Sequence, residues 1–315
     1  MQNKTLQLFI TSNCNFKCKT CFGGFSRGNN MSFEVFCGAV DEAKTAGYLY
    51  ITFTGGEPAL HPEFEKMVEY VSKKGMFFSF VSNGSLLNRY KFIINKYSKN
   101  LSVAGFSVDG ATKKVHDLVR QAGSYILVVD AIRYFVTHNA STVMEVCLNK
   151  LNHHEIDTLF SLAKKLKVQG ISFSSAIDTG FNKDILLTEK ERLSCLKKIA
   201  EAKKNFPNIP VSIMSALQNN GGVYFCHALE NEGTLTVSPK GHYYFCTVTR
   251  FDSTQLGSVF ADALPDVIKR YRRLAKNLKR IRAQMVKKGK VSDNFNTCEF
   301  CNFFLKQYYQ PAKAK

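Results

Sequence analysis

The sequence predicts an α/β fold, a partial (β/α)6 barrel followed by a small C-terminal region made of a β-hairpin and a long helix. Three observations carry this. Short apolar runs alternate with amphipathic helical patterns as far as residue 205. Six strand–helix units can be counted, which implies parallel strands joined by right-handed crossovers but falls short of the eight units of a closed barrel. After about residue 215 the alternation stops, which divides the chain into an expected barrel over residues 1–215 and a second region over 216–315.

The elements follow in order. "TLQLFIT" (5–11) reads as a buried strand and "SFEVFCGAVDEAKTAG" (32–47) as a helix, with Ser32 as N-cap and Gly47 beyond its end. "YITFT" (50–54) is the second strand, and Pro62 to Lys74 the second helix, closed by Gly75. "FFSFVS" (77–82), "LSVAGFSV" (101–108), "TVMEVCL" (142–148) and "ISFSS" (171–175) are the remaining strands. Helical patterns occupy 88–96, 124–138, 153–167 and 189–205. Further on, "TLTVSPKGHYYFC" (234–246) reads as a hairpin, with Pro239 and Gly241 at favourable turn positions. A long helix is expected over about 262–288, where Tyr271, Leu274, Leu278, Ile281 and Met285 form an apolar stripe.

Composition narrows the function. The 315 residues carry 43 Lys and Arg against 25 Asp and Glu, a net charge of +18, which favours an acidic partner or simply a lysine-rich surface. Residues 269–290 alone hold eleven basic side chains and no acidic one. No stretch has the apolar length of a signal peptide or a bilayer span, so a cytoplasmic protein without a membrane partner is expected. Ten cysteines fit poorly with disulfides in a reducing compartment, and their clustering points to metal instead. Seven fall into groups, 14/18/21, 226/246 and 298/301, while Cys37, Cys147 and Cys195 stand apart. Cys37 and Cys195 lie in helical patterns and are expected to pack; His153 and His154 open a helix and are expected at the surface.

"CNFKCKTCF" (14–22) follows directly on the first strand, which places Cys14, Cys18 and Cys21 at the carboxyl edge of a parallel sheet, where open α/β folds put their chemistry. Three thiolates are one short of a tetrahedral metal or a four-iron cluster. A 4Fe–4S cube with one open iron and a zinc site with a distant fourth ligand both satisfy this spacing. The later strand ends are also distinctive. "FTGGEP" (53–58) ends the second strand with two glycines that would let a ligand approach the backbone, and Glu57 can accept from an ammonium group. "VSNG" (81–84) ends the third strand and "FSVDG" (106–110) the fourth.

Together these motifs closely resemble the radical S-adenosylmethionine superfamily over roughly residues 5–215. The resemblance implies that S-adenosylmethionine occupies the open iron through its amino and carboxylate groups. It further implies that Gly55, Gly56 and Glu57 hold the methionyl amino end, that Pro58 shapes that turn, and that Ser82, Asn83, Ser107 and Asp109 line the flank and ribose. Arg120, in "HDLVRQAGSY", would reach the carboxylate, and Glu145 faces inward on the fifth strand if alternation holds. Thr20 stands where the family often has an aromatic residue before the third cysteine, so Phe16 or Phe22 would supply that apolar contact. The implied chemistry is reductive cleavage to a 5′-deoxyadenosyl radical that abstracts a substrate hydrogen, with an external electron donor such as flavodoxin or ferredoxin.

Cys226, fourteen residues, Gly241, four residues, Cys246 and a later C-x2-C at Cys298 and Cys301 permit a zinc ribbon on spacing alone. In this context they resemble the shortened twitch form of the SPASM auxiliary-cluster extension, whose longer form has three further cysteines. The resemblance thus implies a second 4Fe–4S cluster, fully ligated and suited to conduct electrons. Enzymes of this type modify ribosomally made peptides by crosslinking, oxidation or epimerisation, or dehydrogenate small aminocyclitols and sugar alcohols. Peptide modification is the first expectation and small-molecule dehydrogenation the second, with a substrate that is acidic if the charge is functional. Cys147, on the fifth strand, is a candidate hydrogen donor or a small buried hydrophobe. Outside this class, a basic nucleic-acid-binding protein with structural zinc also accounts for the charge and the cysteines, though nucleic acid is disfavoured as a partner.

Overall fold

The computed structural model describes residues 4–22, 28–214, 217, 226–230, 235–248, 254–290, 298, 300, 301 and 304. Its ten strands join one sheet in the order β10-β9-β8-β1-β2-β3-β4-β5-β6-β7. Strands β1 (Thr5–Thr11), β2 (Tyr50–Gly55), β3 (Phe77–Ser82), β4 (Leu101–Ser107), β5 (Thr142–Leu148) and β6 (Gly170–Ser175) are the six expected ones, and all neighbouring pairs run parallel. A short seventh, β7 (Val211–Ile213), extends the parallel array beyond β6. This is the mostly parallel α/β sheet of a partial barrel.

The helices that cover it start and stop where local chemistry dictates. In α1 (Phe33–Thr45), the Ser32 side chain accepts from Val35 N–H, and Gly47 beyond the end sits at φ +79°. Helix α2 (Phe64–Lys73) begins two residues later than the Pro62 expectation, because Pro58–Leu60 is a separate short 3-10 turn and Glu63 takes the cap position. Helices α3 (Lys91–Tyr97), α4 (Lys113–Val119), α5 (Ser124–Thr137), α6 (Ile156–Leu166) and α7 (Glu189–Asn205) complete the outer layer. Thr188 and Glu191 form a reciprocal capping box at the start of α7. Cys195 is buried on α7 and half-buried Cys37 packs against the core from α1, as expected of packing cysteines.

Between the layers lies an aromatic core. Phe36 stacks on Phe53 at 5.9 Å, Phe80 on Tyr90 at 4.6 Å, and Phe135 meets Phe80 edge-on at 5.7 Å. Alternation in β5 sends Met144, Val146 and Leu148 into this core and leaves Glu145 and Cys147 for the other face.

The C-terminal part joins the same sheet. Strand β8 (Thr236–Val237) pairs parallel to β1, with Gln7 opposite Thr236, and β9 (His242–Tyr244) returns antiparallel as the expected hairpin. A further strand, β10 (Gln255–Ser258), pairs with β9. The short α8 (His227–Glu230) precedes them, and α9 (Leu264–Lys287) follows. Tyr271, Leu274 and Leu278 of the predicted stripe are buried, and Ile281 and Met285 pack against the core. Arg272, Arg273, Lys276 and Arg280 lie on the exposed face, so the basic run forms the solvated side of a packed helix. Among the described residues, no helix is long and apolar enough to cross a membrane.

Candidate functional site

A cavity of about 590 Å³ opens at the carboxyl ends of the parallel strands. One wall is the loop after β1, with Cys14, Phe16, Cys18, Thr20, Cys21 and Phe22. The loop is fastened at several points. Gly56 N–H donates to Thr11 O and Glu57 N–H to Asn13 O, both at 2.8 Å. Asn15 accepts from the Asn83 side-chain amide at 3.0 Å and donates to Ser85 Oγ at 2.8 Å. Lys19 N–H reaches Val119 O at 2.9 Å, which seats the loop on α4.

The thiols share this wall in different settings. Phe16 N–H points at Cys14 Sγ from 3.4 Å. Burial pushes the Cys14 thiol up, and pushes Cys18 up to about 11 against the opposing charge of Arg120. Among the described residues, no three His, Cys, Asp or Glu side chains converge on the spacing of a single metal ion.

Gly55, Gly56, Ser82, Asn83, Ser107, Asp109, Arg120, Glu145 and Cys147 all line the cavity. Asp109 is buried and holds three elements together: its carboxylate accepts from Arg120 Nη1 and from Cys147 N–H, both at 2.8 Å, and its carbonyl accepts from Asn152 at 3.1 Å. Arg120 Nε is buried and has no hydrogen-bond partner among the described residues. Glu145 stands across from Ser107 on β4 and Ser172 on β6, and burial raises its carboxyl despite a hydrogen bond from Ser172. Cys147, with Thr20 and Ser174 beside its thiol, is pushed up to about 12, mainly by burial.

The glycines of "TGGEP" line the cavity and also serve a packing contact. A Cβ on Gly55 would collide with the Thr11 carbonyl, and one on Gly56 with the Asn13 carbonyl, so they let the β1 loop press against the end of β2. Glu57 and Pro58 are not among the residues that line the cavity. The Glu57 carboxylate points inward and is fully buried, accepting from Ser82 Oγ at 3.1 Å, Asn83 N–H at 2.9 Å, Ala59 N–H at 3.3 Å and the Tyr90 hydroxyl. Burial outweighs these donors and raises its pKa. Glu57 thus ties the end of β2 to the end of β3, and its donors are this chain's own rather than an external ammonium. Its replacement by Gln would set an amide NH2 against donors, with a loss of about 2 kcal/mol in chemical denaturation. A loss no larger than that of an exposed Glu→Gln control would refute the hub.

His116 on α4 was not legible as part of the site. It is fully buried, its Nδ1 accepts from Asp109 N–H at 3.2 Å, and its Nε2 has no partner among the described residues. Burial and the Arg120 charge push it down to about 3. The unfolded chain takes up this proton near 6.5 and the folded chain only near 3, so stability is full above 6.5 and is lost as pH falls. Between pH 6.5 and 5 the loss is about 2 kcal/mol from this group. Urea unfolding across that window should show a flatter slope in His116→Gln; an unchanged slope would mean another group is responsible.

Ser238, Pro239, Lys240, His242 and Tyr244, from the β8–β9 hairpin that lies next to β1 in the sheet, also line the cavity. These residues were missed as site residues, although alternation in "GHYYF" marks His242 and Tyr244 as sharing one face.

The four cysteines expected to hold a second cluster fall in the C-terminal part. Cys226 and Cys301 are buried, and Cys246 and Cys298 are half-buried. Tyr271 on α9 links two of their segments: its hydroxyl donates to Ala228 O at 2.7 Å, just after Cys226, and its ring lies 4.5 Å from that of Phe245, just before Cys246. Cys298 and Cys301 lie on helical backbone beside Phe300 and Phe304, whose rings stack at 5.9 Å.

Comparison with known proteins agrees with this fold. The S-adenosylmethionine-dependent nucleotide dehydratase of Selenomonas ruminantium is 34% identical over 110 residues, 35% of this chain and 40% of that protein. The antilisterial bacteriocin subtilosin biosynthesis protein AlbA of Bacillus subtilis (strain 168) is 25% identical over 268 residues, 82% of this chain and 58% of AlbA. The chain thus spans 40% and 58% of the lengths of these relatives. The solved structure of native anSMEcpe with bound AdoMet and Kp18Cys peptide superposes with a TM-score of 0.70 at 20% identity, covering 88% of this chain and 83% of that one, and shares the fold. Residues 8–163, which hold the three-cysteine loop and the ends of β1 to β5, match the Radical SAM superfamily, so the chain carries a domain of that superfamily.

Proposed function

We propose that this chain is a radical S-adenosylmethionine enzyme that modifies a ribosomally made peptide by crosslinking, oxidation or epimerisation. The observation that carries the reading is the shared cavity: three thiols of one fastened loop face a polar set of strand ends drawn from β2 to β5. Superfamily membership implies a 4Fe–4S cluster and S-adenosylmethionine. When bound, the two supply one-electron chemistry that ends in hydrogen-atom abstraction from the substrate.

The residues present fit these groups. Cys14, Cys18 and Cys21 would hold the cluster, and the Phe16 N–H is already aimed at a sulfur. The Gly55 and Gly56 backbone would meet the methionyl amino group, and Arg120, with its unpartnered Nε, is a donor suited to a carboxylate. Ser82, Asn83, Ser107, Asp109 and Glu145 would line the remainder. Cys147, kept as a neutral thiol, stands on the lumen face as a hydrogen-donor candidate for an epimerising outcome.

Residues 216–315 would form the twitch-like region, with Cys226, Cys246, Cys298 and Cys301 holding a second 4Fe–4S cluster; the convergence of two of these segments on Tyr271 supports this. The peptide class is supported by the naming of AlbA for bacteriocin biosynthesis and by the peptide bound in the anSMEcpe structure. A small-molecule substrate is the second reading, favoured by the nucleotide dehydratase relative. A flavodoxin or ferredoxin would supply electrons.

Metal analysis and turnover together test the proposal. Anaerobically reconstituted protein should hold about eight irons per chain and, with dithionite, convert S-adenosylmethionine to 5′-deoxyadenosine. Stoichiometric zinc with neither iron nor 5′-deoxyadenosine would overturn it in favour of a structural metal site.

A further inference from the structure

The hairpin wall of the cavity lies outside residues 8–163, the part that matches the superfamily. Along β9, His242 and Tyr244 turn to the cavity while Tyr243 turns to the core, where its hydroxyl donates to Glu42 Oε2 on α1 at 2.9 Å. The turn before β9 is held closely. Gly241 N–H donates to Ser238 O at 2.9 Å, His242 N–H to Ser238 Oγ at 3.2 Å, and Val259 N–H to Gly241 O at 2.8 Å. Gly241 sits at φ +79°, where a Cβ would come within 3.0 Å of Val35 on α1. Lys240 therefore projects from a backbone pinned by α1 on one side and by the residues after β10 on the other.

Among the described residues, the charges around the cavity leave this lysine without a protein partner. Arg120, the other lining cation of this kind, is paired to Asp109 at 2.8 Å. Glu145, the remaining lining carboxyl, is bonded to Ser172. Among the described residues, Lys240 forms no ion pair. A lysine on a fixed turn, with an imidazole two residues on and no anion of its own among the described residues, is suited to receive an oxyanion. The net charge of +18 would speed the arrival of such a ligand.

We propose that the 238–244 hairpin discriminates substrates, with Lys240 and His242 binding an acidic group of the substrate in the cavity that the thiol loop shares. This rests on the cavity being the enzyme site described above. For a peptide the group is an Asp or Glu carboxylate; the same chemistry would take the phosphate of a nucleotide.

Two probes separate these sources. A random peptide library displayed as mRNA fusions is panned against the reconstituted protein with S-adenosylmethionine, as wild type, Lys240→Glu and Lys240→Gln, and CTP binding is measured by calorimetry. Iron content and melting temperature confirm that the variants are folded, and the milder Lys240→Gln serves if Lys240→Glu is not. Wild type should enrich Asp- and Glu-containing peptides, Lys240→Gln should lose that bias, and Lys240→Glu should reverse it toward Lys and Arg. CTP binding by wild type that weakens at least about tenfold in Lys240→Gln, the loss expected for one charged hydrogen bond, would assign the oxyanion to a phosphate and replace the peptide reading. Enriched peptides without acidic bias, or with a bias that persists in the Lys240 variants, would overturn this proposal and leave the peptide reading in place. Enrichment of nothing together with no CTP binding would overturn both.

Discussion

Replacing Cys14, Cys18 and Cys21 together by alanine should abolish 5′-deoxyadenosine formation and lower iron from about eight to about four per chain. The three thiols come from one loop whose position is set by backbone contacts at Thr11, Asn13 and Val119 and by the Asn15–Asn83 pair, none of which uses a sulfur. The loop should therefore keep its place, and the loss should register as chemistry rather than unfolding. Circular dichroism and an unchanged melting profile of the metal-free proteins would establish this. Full cleavage activity in the triple variant would remove the assignment of the cavity's thiol wall.

The second large effect concerns Cys298 and Cys301. A substrate radical that ends as an oxidised or crosslinked product must lose one more electron, and a fully ligated second cluster could accept it. Alanine at both positions should leave 5′-deoxyadenosine formation in place while product formation falls to near nothing. Losing a metal site can unfold a small region outright. Here the apolar stripe of α9 packs on the core through Tyr271, Leu274 and Leu278, so a monodisperse variant is expected even though Cys301 belongs to the same core. If that variant, shown by Mössbauer spectroscopy to hold one cluster, still makes product at the parent rate, the second site is structural and conducts no electrons.

Much of the fold could be read because its parallel strands are strongly apolar and bounded by glycine or capping residues. Phe77–Ser82, Thr142–Leu148 and Glu189–Asn205 lie at their expected bounds. The elements that escaped are short and weakly patterned: α4, whose seven residues hold two lysines and a buried histidine, and the edge strands Val211–Ile213 and Gln255–Ser258. The site was legible where spacing carries the chemistry, as in the cysteine loop. It was not legible where direction matters. Nothing in "GGEP" tells whether the glutamate looks into the cavity or back toward Tyr90, since that is settled by a tyrosine far along the chain. Lys240 escaped for the same reason, since its turn is held by Val35 and Val259, whereas His116 escaped because nothing in a seven-residue helix marks its histidine as buried.

The pairing of β8 with β1 bears on the order in which the molecule can assemble. As the chain leaves the ribosome, β1 finds β2 early, but its other edge stays open until Thr236 and Val237 emerge to meet Gln7 and Leu8. Contacts so distant in sequence are slow to form, and an open parallel edge invites pairing with other chains. The strand that delivers the cysteine loop is thus among the last to be closed in. Truncation before residue 236 should therefore send this protein to aggregates through β1 rather than through its helices.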